Sequence, residues 1–288
     1  MTPVSISPVN KILRESGLSL NDQSGAIAAR FLAARRSAAG LEAFPGDIPT
    51  TLEQAYAVQD AAIAGWGRPV RGWKVGRVLP PLSATLGADR LAGPIFLEVD
   101  AANGDADDDM PIFNRGFAAG EAEFLLRIGA TPPAGKTSFT LEEAADLIDA
   151  VHVGLEIASS PLGAINELGP LAVVSDFGNN NGLVVGPAVT DWRNSGFEQW
   201  TVTTFIDGVE AGSGRAEAFP DGAIGAARFL FELMAKRGIA LEPGQWISSG
   251  AVTGIHVARP GQTVEGRFAD GLTVSCTLAA AVPHRIEA

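Results

Sequence analysis

The sequence has few of the residues that disulfide bonds, nucleic-acid binding or membrane insertion require. Its 288 residues include one cysteine, Cys276, which excludes an intrachain disulfide and fits a reducing cytoplasm. Lysine and arginine total 21 against 33 acidic residues, so the chain lacks the basic surplus that attracts nucleic acids or anionic membranes. Residues 1–17 contain no apolar core of signal-peptide length, and no apolar run reaches the roughly 18 residues of a membrane span. We therefore expect a cytoplasmic protein with neither nucleic-acid nor membrane partners.

Histidine is equally scarce, with three residues in the chain and none before Gly120. The sequence also lacks a Gly-x-Ser-x-Gly nucleophile turn, a phosphate-binding loop and a Cys-x-x-Cys pair. A serine–histidine nucleophile is therefore poorly supported. His152 is predicted to be a hydrogen-bonded histidine within a sheet.

The predicted secondary structure differs between the N-terminal and C-terminal parts of the chain. Residues 1–20 are predicted to form a loosely ordered arm, and apolar residues recur at helical spacing over residues 25–39 and again after Thr50, where Glu53 completes a capping-box pattern. From about Arg71 onward, short apolar runs alternate with Gly, Pro and Asp, which is typical of β-strands. We predict an α+β protein with a mainly helical domain at residues 1–70 and a β-rich catalytic domain at residues 71–288.

Three local patterns predict two helix starts and one turn within residues 71–288. Thr140 with Glu143 forms another capping box, and Asp221 is predicted to cap a longer helix that ends at Gly238. Asp270-Gly271 between two alternating apolar runs predicts a β-hairpin with a two-residue turn.

Acidic residues face away from the apolar side of two predicted strands. Glu121 and Glu123 alternate with apolar residues, and Glu156 alternates in the same way over residues 151–157. If these faces meet, carboxylates about 4 Å apart repel by roughly 4 kcal/mol per pair at an effective dielectric near 20, so the group requires a cation or shared protons. Oxygen ligands at this density suit Mg²⁺, Mn²⁺ or Ca²⁺ rather than zinc. Two solvated strand faces are the alternative.

Further short motifs occur in a fixed order around these glutamates. They are Gly72-Trp73-Lys74-Val75-Gly76, Glu121-Ala122-Glu123-Phe124, Leu155-Glu156-Ile157, Asp176, Asn181-Gly182, Pro243-Gly244-Gln245-Trp246-Ile247, Ser249-Gly250, Thr253-Gly254 and Arg259-Pro260-Gly261-Gln262. From about Thr50 to Thr277 this order resembles the fumarylacetoacetate hydrolase superfamily. Within it, the chain is most similar to the branch of 2-keto-4-pentenoate (2-hydroxypenta-2,4-dienoate) hydratases and 2-oxo-3-hexenedioate decarboxylases.

The resemblance implies a mixed β-sandwich roll and a homo-oligomeric, metal-dependent enzyme. It makes Glu121, Glu123 and Glu156 the ligands of Mg²⁺ or Mn²⁺, which would hold a small 2-oxo acid through its carboxylate and C2 oxygens. Lys74 would bind the substrate or transfer a proton, although a lysine at a strand edge is more often solvated. A further catalytic residue would be Asp176, and the remaining substrate-binding residues would be Asn181, Ser249, Gly250 and Thr253.

The function that we expect is hydration of 2-hydroxypenta-2,4-dienoate, or a related unsaturated 2-oxo acid, in the degradation of aromatic compounds. Two departures from the family pattern favour a neutral far end of the substrate: Ser160-Pro161 stands where an arginine is usual, and Phe177 stands where asparagine is frequent. The nearest alternative is 2-oxo-3-hexenedioate decarboxylation, with Arg77 or Arg90 holding the second carboxylate. An acylpyruvate carbon–carbon hydrolase and a non-catalytic structural homologue are less favoured.

Overall fold

The computed structural model describes residues 20–106 and 108–284, so the arm predicted for residues 1–20 lies outside the described residues except at its last position. Six α-helices occur in this part of the chain: α1 (Leu20–Ser37), α2 (Leu52–Trp66), α3 (Leu82–Leu86), α4 (Leu141–Asp146), α5 (Pro170–Ser175) and α6 (Gly222–Arg237). The strands described are β1 (Gly72–Arg77), β2 (Arg90–Ile95), β3 (Glu98–Asp100), β4 (Met110–Ile112), β5 (Phe117–Ile128), β6 (Ile148–Ser160), β7 (Asn180–Ala188), β8 (Val202–Ile206), β9 (Val209–Gly214), β10 (Trp246–Ser248), β11 (His256–Val257), β12 (Thr263–Arg267) and β13 (Thr273–Ala280). The predicted α+β class is confirmed. None of the described helices is long and apolar enough to cross a membrane.

Side chains that bond to the first turn determine where two helices begin. Thr51 caps α2 by accepting a hydrogen bond from the Gln54 backbone N–H at 3.2 Å, so the cap lies one residue after the predicted Thr50. At the start of α4, Thr140 and Glu143 form the reciprocal capping box that the sequence predicted. Each cap satisfies backbone donors that the helix itself leaves unpaired.

Two other local predictions are only partly right. Asp221 precedes α6, but its backbone is left-handed and its side chain caps nothing; the carboxylate pairs instead with Arg228. Strands β12 and β13 form the predicted antiparallel hairpin. Their connection is longer than the predicted two-residue turn, because Ala269–Gly271 forms a 3-10 turn between them.

Two mixed sheets organise the strands. The larger has the order β2-β1-β10-β5-β6-β7-β3, with β11 paired to β5, and the smaller has the order β4-β13-β12-β8-β9. Strand β1 runs parallel to β10, β3 parallel to β7, and β4 parallel to β13, while the other pairs are antiparallel. Long strands β5 and β6 lie in the middle of the larger sheet.

The main core lies between the two sheets. A Cβ added to Gly266 of β12 would lie 3.2 Å from the Ala122 side chain and 3.3 Å from a methyl group of Leu155. Ala122 and Leu155 therefore face the smaller sheet, as the predicted alternation requires. The lone Cys276 is buried in this core and forms no disulfide. Because side chains alternate along a strand, the acidic residues of β5 and β6 point to the opposite face of the larger sheet.

A second apolar cluster joins the helices to that opposite face. Phe31 of α1 and Val58 of α2 belong to it, together with Leu91 of β2, Leu162 and Phe177. The predicted division near Arg71 falls between α2 and β1, and two separate domains remain a prediction. The packing places α1 and α2 beside the strands that carry the acidic residues.

Candidate metal centre

The pairing of β5 with β6 brings three glutamates together. Glu121 lies directly opposite Glu156, and Glu123 lies opposite Gly154 on the same face. One oxygen from each of the three carboxylates lies within 4.8 Å of the others, and the residues are 4%, 0% and 1% exposed for Glu121, Glu123 and Glu156. The convergence expected from the strand alternation is present, and these three side chains are called the carboxylate cluster below.

Burial and repulsion between carboxylates make Glu121 and Glu123 retain protons in the absence of a cation. Burial, together with the charge of Glu156, raises the pKa of Glu121 to about 8, although the ammonium of Lys74 works in the opposite direction. Burial and the charges of Glu156 and Glu121 also raise the pKa of Glu123 well above its usual value, against hydrogen bonds that lower it. Desolvation disfavours the charged carboxylate, and a divalent cation removes that penalty.

The hydrogen bonds of the cluster leave oxygens free to bind a cation. Glu123 Oε2 accepts hydrogen bonds from Ser248 Oγ at 2.5 Å and from the Gly250 backbone N–H at 2.8 Å. Glu156 Oε1 accepts a hydrogen bond from Asn180 Nδ2 at 3.0 Å. The other oxygens of these two glutamates, Glu123 Oε1 and Glu156 Oε2, are buried and accept no hydrogen bond from the described residues. Glu123 Oε1 thus has no partner among the described residues, and Glu156 Oε2 has the ammonium of Lys74 at 3.4 Å. These oxygens, in a group with no nitrogen or sulfur donor, fit a hard divalent cation.

Lys74 is buried beside the cluster rather than solvated at a strand edge. It lies on β1, is 6% exposed, and places Nζ 3.4 Å from Glu156 Oε2 and 3.4 Å from Asn179 Oδ1. Burial disfavours the ammonium form, but the negative charges of Glu156, Glu121 and Glu123 outweigh burial and raise the pKa of Lys74. Lys74 therefore holds a proton next to the cluster.

A cavity of about 470 Å³ opens onto these groups. Its polar lining includes Glu121, Glu123, Lys74 and Asn179. Much of the remaining lining is apolar and comes from Val75, Val78, Leu79, Leu82, Leu91, Val173, Phe219, Ala251 and Ile255. Arg77 also lines the cavity, with its guanidinium 5.5 Å from the centre of the Phe219 ring. A small acid with an apolar body fits such a space.

Five of the predicted site residues are absent from the lining of this cavity: Asp176, Asn181, Ser249, Gly250 and Thr253. Asp176 is 1% exposed, and its carboxylate is occupied by Arg35 Nε at 2.6 Å and Ser160 Oγ at 2.6 Å. Asn181 accepts a hydrogen bond from Arg35 through Oδ1 and donates to the Pro111 carbonyl through Nδ2. Neither side chain is among those that line the cavity.

Gly250, in the predicted turn after β10, contacts the carboxylate cluster. Gly250 donates its backbone N–H to Glu123, and the hydroxyl of Ser249 is buried without a partner among the described residues. Thr253 bonds instead to Thr204 Oγ1 at 2.7 Å and His256 Nε2 at 2.9 Å.

The prediction omitted four side chains that hold the site together. They are Asn179, Asn180, Ser248 and Arg35. The run of Gly and Asn over residues 178–182 is the signal that could have suggested the two asparagines. Ser248 directly precedes the predicted Ser249-Gly250 motif, whereas nothing near Arg35 in the sequence indicates its contact with Asp176.

Comparisons with known proteins identify the fold. No family model matches the sequence, and no curated protein sequence matches it. A 4-oxalocrotonate decarboxylase from Pseudomonas putida G7, solved with magnesium and adipate, superposes with a TM-score of 0.75 at 20% identity and covers 91% of this chain and 98% of that one. A fumarylpyruvate hydrolase from Pseudomonas aeruginosa, solved with Mn²⁺ and pyruvate, gives 0.52 at 16% identity, covering 74% of this chain and 91% of that one. A putative fumarylacetoacetate hydrolase family protein from Yersinia pestis CO92 gives 0.51 at 14% identity, covering 74% and 94%. The chain therefore has the fold of the fumarylacetoacetate hydrolase superfamily, as the order of its motifs predicted.

Proposed function

We propose that this protein is a metal-dependent lyase that hydrates 2-hydroxypenta-2,4-dienoate, or a related unsaturated 2-oxo acid, to a 4-hydroxy-2-oxo acid. The observation that carries the proposal is the buried carboxylate cluster, which pairs with the protonated Lys74 and lies next to a largely apolar cavity. Two of the three similar proteins described above, the 4-oxalocrotonate decarboxylase and the fumarylpyruvate hydrolase, were solved with a divalent cation and a small carboxylic acid, which supports the same class of ligands here.

Each polar group would have a separate task. Glu121, Glu123 and Glu156 would hold Mg²⁺ or Mn²⁺, whose bound form supplies Lewis-acid stabilisation of negative charge at the C2 oxygen of the substrate. Ser248 and Gly250 keep Glu123 in place by their two hydrogen bonds.

Lys74 would supply the proton in ketonisation of the dienol. Its Nζ carries a proton within the cavity and would donate it to the terminal carbon of the dienol. The C2 hydroxyl loses its proton in the same step, which gives a conjugated 2-oxo enone, and that proton restores the ammonium of Lys74. Water oxygen then adds to C4 of the enone and a proton to C3, so the product gains one water overall. We assign Asp176 a structural part, because both of its oxygens are already engaged.

Decarboxylation of 2-oxo-3-hexenedioate is the second candidate, and Arg77 is the observation that favours it. Arg77 lines the cavity and could pair with a second carboxylate, whereas Arg90 is absent from the lining and donates to the Pro220 carbonyl. We favour hydration because Arg77 and Lys74 are the only cations among the lining residues, and Arg77 is exposed. An exposed cation contributes little to the binding of a carboxylate.

The deciding experiment offers both substrates to the purified protein with Mg²⁺ or Mn²⁺. Hydration predicts metal-dependent loss of dienol absorbance from 2-hydroxypenta-2,4-dienoate, with a product heavier by one water. Release of carbon dioxide from 2-oxo-3-hexenedioate, without reaction of the dienoate, would identify the decarboxylase. A protein that binds no divalent cation and turns over neither substrate would be the non-catalytic homologue. Assembly as a homo-oligomer and a part in aromatic-compound degradation belong to the same proposal, and light scattering tests the former.

A further inference from the structure

We propose that Arg35 of α1 is a positioning residue for the carboxylate cluster, an inference that rests on the proposed metal-dependent function. Among the described contacts, Arg35 touches neither Lys74 nor any glutamate of the cluster. It acts through residues 176–181, called the asparagine segment below, which carries the side chains that bond to Glu156 and Lys74.

The guanidinium of Arg35 is tied to two pieces of chain that are distant in sequence. Nε donates to Asp176 Oδ1 at 2.6 Å, and Nη1 donates to Asn181 Oδ1 at 3.0 Å and to the Asn180 carbonyl at 3.3 Å. Nη2 donates to the carbonyls of Ser159 and Asp176, each at 3.3 Å. Arg35 is 4% exposed and Asp176 is 1% exposed, so water does not compete for these bonds. One side chain of α1 thus joins the end of β6 to the whole asparagine segment.

The asparagine segment needs such support because its backbone is unusual. Phe177, Gly178 and Asn179 have consecutive φ angles of 56°, 65° and 56°, in the left-handed region that residues other than glycine rarely adopt. Such conformations persist only where the surroundings determine them strongly. Arg35 provides part of that determination, because its Cζ lies 4.9 Å from the centre of the Phe177 ring while Nε holds Asp176 just before it.

The left-handed turn sets the position of two amides at the site. Asn180 Nδ2 donates to Glu156 Oε1 at 3.0 Å, which leaves Glu156 Oε2 paired with Lys74 Nζ at 3.4 Å. Asn179 Oδ1 accepts a hydrogen bond from Lys74 Nζ at 3.4 Å. The turn also packs directly on Lys74, because a Cβ at Gly178 would lie 3.0 Å from Lys74 Cδ. A relaxed turn would therefore misplace one metal ligand and the lysine together.

A role in stability alone accounts less well for the arrangement. Buried ion pairs often add little to net stability, since the desolvation of both charges offsets their attraction. Here four of the five hydrogen bonds of one arginine converge on the segment that contacts the reactive groups, and the fifth goes to the Ser159 carbonyl at the end of β6. Residues that orient a metal ligand from behind typically change metal affinity by about 10- to 100-fold when they are replaced.

The test measures Mg²⁺ and Mn²⁺ affinity by calorimetry in Arg35→Met, Arg35→Lys and Asp176→Asn, with circular dichroism to confirm folding. Arg30→Met is the matched control, because Arg30 lies on the same helix, is exposed, and among the described residues donates a hydrogen bond to the Pro45 carbonyl alone, at 3.2 Å. We expect metal affinity to fall by about 10- to 100-fold in Arg35→Met. Arg35→Lys should also lose affinity, because an ammonium lacks the fork that joins both pieces of chain. The control should bind like the wild type.

Chemical rescue separates positioning from a general loss of structure. Arg35 lines a cavity of about 770 Å³ on the side away from the carboxylate cluster, so guanidinium ions can reach its place in Arg35→Gly. Millimolar guanidinium is expected to restore part of the metal affinity in that variant and to leave Arg30→Gly unchanged. If Arg35→Met does not fold, the metal affinities of Arg35→Lys and Asp176→Asn provide the test.

The outcomes distinguish this inference from the proposed function. Folded Arg35 and Asp176 variants that bind metal as tightly as the wild type would overturn the positioning role and leave the metal site intact. A wild-type protein that binds neither Mg²⁺ nor Mn²⁺ would overturn both proposals. Weakened metal binding with guanidinium rescue would support the positioning role even if neither tested substrate reacts.

Discussion

Replacing Glu123 by glutamine should remove metal binding without unfolding the protein. Glutamine has nearly the same shape, so its amide oxygen can accept the hydrogen bonds that Ser248 and Gly250 now donate to Glu123 Oε2. The amide nitrogen then takes the place of Glu123 Oε1, the buried oxygen without a partner. A cation would meet a donor where it requires an acceptor, and one of its three negative charges would be gone.

The loss of thermal stabilisation by metal can be calculated from the linkage between metal binding and folding. A cation at 100 times its Kd stabilises the protein that binds it by about 2.7 kcal/mol. For 288 residues, an unfolding entropy of about 2.1 cal/mol/K per residue converts this energy to a rise in Tm of about 4–5 °C. The Glu123→Gln variant should lose that rise. Its metal-free Tm should equal or exceed that of the wild type, since a buried acid with a strongly raised pKa is replaced by a neutral group.

Thermal unfolding with increasing Mg²⁺ or Mn²⁺ is the assay, with calorimetric titration beside it. Glu142→Gln is the matched control, because Glu142 is exposed in the first turn of α4. The control should keep the full metal-induced rise in Tm. A Glu123→Gln variant that is stabilised by metal as much as the wild type would refute the assignment of the carboxylate cluster as the metal site.

Three further results are expected from the same site. Lys74→Ala should lower turnover by at least about 10²-fold. Its Mg²⁺ affinity in calorimetry should stay equal or tighten, because no ammonium remains 3.4 Å from Glu156. Near-normal turnover would show that Lys74 transfers no essential proton. The pKa of Glu121 is about 8 in the metal-free fold and near 4.5 when unfolded, so this group favours the metal-free fold below pH 4.5 and loses that contribution as the pH rises through 8. Metal affinity should accordingly rise about tenfold per pH unit for each proton displaced between pH 6 and 8, and a flat calorimetric profile would contradict it. Arg77→Met should leave hydration of the dienoate unchanged and raise the KM for any dioate by less than about tenfold, since an exposed ion pair contributes only about 0–1 kcal/mol; steady-state kinetics on both substrates decides this.

Features that depend on neighbouring residues were predictable from the sequence. The capping box of α4 involves residues three apart, and the two-residue alternation alone placed Glu121 and Glu123 on one face of β5. His152 is hydrogen-bonded to the Gly186 carbonyl within the larger sheet, as expected. The order of the motifs predicted the fold, although no pattern within a single strand gives the register that sets Glu121 opposite Glu156.

Features that depend on distant partners were not predictable. The family resemblance made Asp176 a candidate catalytic residue, but its partner Arg35 lies 141 residues earlier in the chain. The three left-handed residues of the asparagine segment include only one glycine, so no residue pattern predicts the turn that places the Asn180 amide next to Glu156. The free energy that holds this turn comes from tertiary contacts rather than from local preference.

The metal and the asparagine segment must stabilise one another if both proposals are correct. Coupling between two equilibria is reciprocal, so a segment that tightens metal binding 10- to 100-fold is itself favoured by the bound metal by the same factor. That factor corresponds to about 1.4–2.7 kcal/mol, enough to slow hydrogen exchange at an amide whose protection depends on the turn. The Asn179 backbone N–H, which donates to the Asp176 carbonyl at 2.8 Å, is such an amide. Saturating Mg²⁺ should therefore slow its exchange about 10- to 100-fold in the wild type and far less in Arg35→Met. An amide that exchanges at the same rate with and without bound metal would show that the segment and the cation are independent, and Arg35 would then lose its proposed connection to the site.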